Sequence, residues 1–140
     1  MNMKGRIGIS DVLLPAFSIL YLVGIRTVFH PCGPKEDGSW MTCHWAGQMV
    51  TGLAVVLVVL SVVHVITTNT GVKLGLDLGI LAVSVYSALI PGKLISLCMM
   101  PDMRCHQLMT PGVIICSILV LAAVALDCVL IGRKGSSHAL

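Results

Sequence analysis

The sequence predicts an all-α membrane domain, a bundle of four transmembrane helices built from two tandem helical hairpins related by a pseudo-two-fold axis. Three observations predict it. Hydrophobic residues make up 56% of the 140-residue chain, charged residues only 11%, and the mean hydropathy is +0.98, a profile far from that of soluble domains. The apolar residues gather into four segments, each near the roughly 20 residues a helix needs to cross about 30 Å of hydrocarbon. The polar landmarks of the first half then recur in the same order in the second.

The first helix is expected over 9–28. It carries Asp11, Pro15 and Arg26 and lacks a small-residue cleavage site, so it reads as a spanning segment and not a cleavable signal. A polar loop follows over 29–44, where Gly33, Pro34 and Gly38 allow a tight reversal and Trp40, with Trp45 just beyond, anchors at the interface. The second helix is expected over 45–66. The third, over 74–97, is preceded by Gly71 and carries Gly75 and Gly79; this four-residue spacing lets another backbone approach closely. Those glycines either pack the bundle internally or, with Asp77, offer a docking face to another membrane subunit. Pro91 should kink this helix and aim Lys93 toward the second polar loop, over 98–110. The fourth helix is expected over 111–132. Since unpaired backbone groups cannot face lipid, helices are the spanning form at these lengths.

Basic residues set the expected orientation. Lys4, Arg6, Lys73, Arg133 and Lys134 lie at the termini and the central connector, whereas the two polar loops carry Lys35 and Arg104 against Glu36, Asp37 and Asp102. The positive-inside rule puts both termini in the cytoplasm and both loops outside. The net charge of +3 then matches an anionic inner leaflet and not a nucleic acid. No phosphate-cradling glycine loop, nucleophile elbow or HExxH helix is present.

Each half reads inner acid, outer base, cysteine, Met-x-Cys-His, inner polar group: Asp11, Arg26, Cys32, Met41–His44 and His64, then Asp77, Lys93, Cys98, Met103–His106 and Asp127. Both halves start on the same side, so the repeat is parallel, about an axis along the membrane normal. Asp11 suits interfacial solvation or helix N-terminal stabilisation, and His64 an intrabundle hydrogen bond or a pairing with Asp77 or Asp127. A proton path would need polar groups at mid-membrane, and the second helix has none between Leu53 and Leu60. Cys116 and Cys128 fall inside the fourth helix and suit packing.

The loop residues carry the chemistry. The first expectation is structural disulfides among Cys32, Cys43, Cys98 and Cys105, one closing each loop (Cys32–Cys43 and Cys98–Cys105), although four cysteines allow three pairings. The alternative is a soft-ligand site at Met41, Cys43, His44, Met103, Cys105 and His106. Thioether, thiolate and imidazole together suit copper(I), zinc or haem iron, although no standard zinc spacing or Cys-x-x-Cys-His motif occurs. A third possibility is thiol–disulfide exchange. Four helices with a cysteine pair in each outer loop resemble the quinone-linked DsbB-type oxidoreductases, but the Cys-x-x-Cys of that family is missing here.

A closer resemblance rests on His30-Pro31-Cys32-Gly33, on Gly38-Ser39-Trp40-Met41-Thr42-Cys43-His44-Trp45, and on Cys98-Met99-Met100 with Met103-Arg104-Cys105-His106. These runs resemble a family of small bacterial four-helix membrane proteins known as a domain of unknown function. The resemblance implies a bacterial inner (plasma) membrane protein, and it suggests an accessory subunit beside ABC-type permeases; it carries over no catalytic residue. The expected function is therefore an accessory or interaction subunit of a larger membrane assembly, lying in the lipid bilayer, with no cofactor and no nucleic-acid partner. The alternative is an outer-face redox, copper-binding or haem-binding protein.

Overall fold

A computed structural model of the chain describes residues 8–138, with side chains to 133. The N-terminal Lys4 and Arg6 lie outside the described residues, as does the side chain of Lys134. Four α-helices follow in chain order: α1 (Ile9–Thr27), α2 (Thr42–Ile66), α3 (Thr70–Leu89) and α4 (Thr110–His138). All four are long and apolar enough to cross a membrane, the shortest having 19 residues; at 1.5 Å per residue that is about 28 Å. The chain is a multi-pass membrane protein, and its exposed side chains on the helices, such as Val55, Val59, Leu78, Ile115 and Ile118, face lipid.

Each helix packs on its two neighbours in a ring, α1 on α2, α2 on α3, α3 on α4 and α4 on α1. This is the arrangement of an up-down-up-down bundle. Along the axis lie Leu14, Tyr21, Val50, Ala54, Leu57, Ile80, Val113, Val120 and Val124, all fully buried or nearly so. Hydroxyls interrupt this core. Ser18 and Ser61 bond each other across α1 and α2 at 2.8 Å, with one donating to the other and the acceptor donating in turn to the carbonyl one turn back, and the Tyr21 hydroxyl bonds Ser87 of α3.

Helix ends follow local chemistry. The Asp11 carboxylate accepts from the Gly8 amide at 2.9 Å, satisfying a free N–H at the start of α1. Asn69 caps α3 by accepting from the Gly71 amide at 3.0 Å. The third helix ends at Leu89, well short of the expected residue 97. Pro91 has no N–H to offer and its ring clashes with the preceding turn, so it ends the helix and does not kink it. Gly92, at φ +83°, then reverses the chain, a conformation that favours glycine. The second helix begins earlier than expected, at Thr42, and so takes Cys43 and His44 into its first turn.

Close approach of backbone occurs at other glycines than expected. Gly75 and Gly79 face outward: a Cβ added at either would meet nothing within 4 Å, and one at Gly71 would meet only its own Asn69 side chain. The glycines that admit neighbours are at the loop end. A Cβ on Gly47 would come within 2.6 Å of the Pro31 ring, and Gly24 and Gly112 both lie against the Phe29 ring. These three glycines seat the 28–33 segment on the bundle, and thereby place Cys32.

Candidate functional site

The two polar loops close over one end of the bundle, and there the four loop cysteines converge. The Cys32 and Cys105 sulfurs lie 3.0 Å apart and those of Cys98 and Cys43 3.2 Å apart. All four Sγ atoms lie within 4.8 Å of one another. The nearest pairs thus join one hairpin to the other, whereas the loop-by-loop expectation joins Cys32 to Cys43 and Cys98 to Cys105. Cross-pairing obeys the repeat. A two-fold that exchanges Cys32 with Cys98 and Cys43 with Cys105 turns each close pair into the other, the rule of an isologous contact.

Each sulfur is held by its own local structure. Cys32 follows Pro31, seated on Gly47. Cys43, fully buried, sits in the first turn of α2. Cys105, also fully buried, opens a π-helical turn over Cys105–Met109 that leads into α4, and the Thr110 hydroxyl donates to its carbonyl at 2.9 Å. Such one-turn widenings recur at functional sites. Cys98 is positioned through its carbonyl, which lies 2.8 Å from His106 Nε2. Burial raises the Cys32 thiol, but hydrogen bonds from the Cys105 thiol and backbone and from the Cys43 and Cys98 thiols together outweigh it and hold Cys32 below the ordinary thiol value.

The soft-ligand residues divide. Cys43 and Cys105 are in the cluster, and the Met41 thioether lies 3.6 Å from the Cys98 sulfur. His44 instead stacks on Trp40, with ring centroids 4.0 Å apart, and His106 is engaged by the Cys98 backbone. Met103 is half-buried in the loop, outside the sulfur cluster. His30 meets Arg104 at 3.3 Å, a further link between the loops.

At the opposite end every helix contributes to one cluster of ionisable groups: Asp11 from α1, His64 from α2, Lys73 and Asp77 from α3, and Asp127 from α4. His64 is fully buried at the centre. Its Nε2 lies 3.1 Å from Asp77 Oδ1 and 3.0 Å from Asp127 Oδ2, and its Nδ1 3.5 Å from Asp11 Oδ1. Lys73 Nζ reaches Asp11 Oδ1 at 2.5 Å. Asp77, expected on a face shared with the outward glycines, points into the bundle with no exposure.

The buried hydroxyls between the two ends went unseen in the sequence. Ser18, Ser84, Ser87, Ser117 and Tyr21 are buried polar groups between the two ends, Ser18 meeting Ser61 of α2, and Ser84 and Ser117 have no hydrogen-bond partner among the described residues. A signal existed: Ser18 follows Asp11 by seven residues, and Ser84 follows Asp77 by the same seven. The repeat therefore extends to a shared serine two helical turns inside each acid.

A family model, Domain of unknown function (DUF4418), matches residues 14–130. The chain belongs to the DUF4418 family. That match takes in α2 and α3 entire, most of α1 and α4, both loops and the four clustered cysteines. No curated protein and no solved structure matches this DUF4418 chain.

Proposed function

We propose that this DUF4418 protein holds a single thiophilic metal ion in a four-thiolate centre at the extracytoplasmic face of a bacterial inner membrane. The observation that carries this is the convergence of Cys32, Cys43, Cys98 and Cys105, two from each hairpin, within 4.8 Å. A tetrahedral ion with metal–sulfur bonds of about 2.3 Å has its sulfurs roughly 3.8 Å apart, between the 3.0 and 3.2 Å of the two close pairs and the 4.8 Å limit of the cluster, so the close pairs would open by under about 1 Å around one ion. Four soft donors select copper(I) or zinc, and the neighbouring Met41 thioether favours copper(I). Haem iron takes only one or two axial protein ligands, so four converging sulfurs favour a bare ion over haem. With both termini in the cytoplasm, as the basic residues suggest, the centre faces outward and ties the two hairpins together.

The test is metal analysis beside thiol counting on protein purified from its native membrane without reductant or chelator. One copper or zinc per chain is expected, with the four loop cysteines resisting alkylation until a chelator is added. Two disulfides joining Cys32 to Cys105 and Cys43 to Cys98, with no metal, would overturn it.

A second reading is an accessory subunit of a larger membrane assembly, such as an ABC-type transporter, with loops stapled by disulfides. The outward face at Gly75 and Gly79 favours it, because nothing within the bundle uses the close approach those glycines permit.

A further inference from the structure

Asp11, His64 and Asp127 each place a donor atom within 4.8 Å of the others, and Asp77 Oδ1 adds a fourth 3.1 Å from His64 Nε2. Asp77 and Asp127 each have one oxygen occupied by a neighbour and the other turned toward the imidazole. Asp127 Oδ1 accepts from the Ser10 hydroxyl, leaving Oδ2 toward His64; Asp77 Oδ2 accepts from the Cys128 thiol at 3.8 Å, leaving Oδ1. Asp127 Oδ2, Asp77 Oδ1 and His64 Nε2 are all buried and without hydrogen-bond partners, although they lie within 3.1 Å of the imidazole nitrogen. Neither oxygen stands where the Nε2 proton would point, so no hydrogen bond explains the convergence. On the other side of the ring, Asp11 Oδ1 lies 3.5 Å from Nδ1, within ion-pair reach although not hydrogen-bonded to it, and Asp11 is itself fixed by the Gly8 amide at 2.9 Å and Lys73 at 2.5 Å. A carboxylate behind a histidine whose other nitrogen binds a metal is the recurrent way of orienting that ligand.

Charge points the same way. Three carboxylates outnumber Lys73 by two charges within this buried group, and unbalanced charge inside a membrane bundle is costly. One divalent cation cancels the excess with His64 neutral, the form that binds metal.

We propose that Asp77, Asp127 and His64 Nε2 bind a divalent metal ion of the manganese–iron–zinc class, with Asp11 and Lys73 positioning the histidine. This centre is separate from the cysteine cluster and lies at the other end of the bundle. Oxygen donors with one imidazole suit such ions, whereas thiolates prefer softer ones.

The test uses the full chain in lipid nanodiscs, stripped with chelator and titrated with manganese(II), an ion for which the cysteines compete poorly. One manganese per chain is expected, with an imidazole-nitrogen coupling in its paramagnetic resonance spectrum. His64→Gln should abolish that coupling and, like Asp127→Asn, weaken binding at least a hundredfold; Asp11→Asn should weaken it about ten- to a hundredfold. Wild-type protein that binds no manganese, or binds it without nitrogen coupling, would overturn the proposal. So would undiminished binding by a folded His64→Gln variant. Should His64→Gln not fold, the wild-type spectrum decides alone.

Discussion

Gly112 shows how one missing side chain positions a chemical centre. Phe29 lies against Gly24 and Gly112, and Pro31 against Gly47, so three absent Cβ atoms make the seat for the residues leading to Cys32. Gly112→Ala would force the ring outward, since overpacking of this kind costs about 1–3 kcal/mol. Thermal unfolding in detergent should register that loss, and alkylation of Cys32 in metal-free, reduced protein should quicken as its sulfur leaves Cys105. An unchanged alkylation rate would show that Phe29 does not place Cys32. The sequence named the cysteines as chemically important but gave no sign of this packing, because Gly24, Gly47 and Gly112 share no spacing and meet only through the fold. The residues proposed as soft ligands were legible as types and not as a set. Adjacent Cys43 and His44 point in different directions from one helical turn, so neighbours in sequence need not share a site.

The elements were legible wherever hydrophobicity decided them, as in the four spans, and less so where a single residue set the boundary. Pro91 illustrates this. Apolar sequence continues past it to Leu97, but the helix stops at Leu89 and the following turn carries the chain toward Cys98. Pro91→Ala restores the missing N–H, and α3 should extend by about one turn, drawing Cys98 away from Cys43. Crosslinking of that pair by a bifunctional thiol reagent short enough to bridge neighbouring sulfurs should fall at least tenfold in this variant, while crosslinking of Cys32 to Cys105 persists. The π-helical turn before α4 had no sequence signature either; it arises because Thr110 satisfies the Cys105 carbonyl five residues back.

For the whole molecule, the duplicated order of polar landmarks proved the most informative sequence feature. It anticipated two polar ends, and the structure adds the rule by which the halves meet, each cysteine beside the non-equivalent cysteine of the other half. The same view separates the two functions proposed. The face of α3 bearing Gly75 and Gly79 is open along its length, so Gly75→Leu and Gly79→Leu should leave unfolding and metal content of the isolated protein unchanged. If the chain serves a larger assembly, these variants should lose a partner that co-purifies with the wild type from mild detergent; retention of every partner would remove that face from consideration.

The cross-hairpin cysteines also impose an order on biogenesis. Cys32 and Cys43 emerge with the first hairpin, but Cys105 stands at the threshold of the last helix. The four-sulfur cluster therefore cannot close before Cys105 has been made. Its closure reports that the loops of both hairpins have reached the same side of the bilayer, and a chain truncated before Cys105 would be left with unmatched thiols.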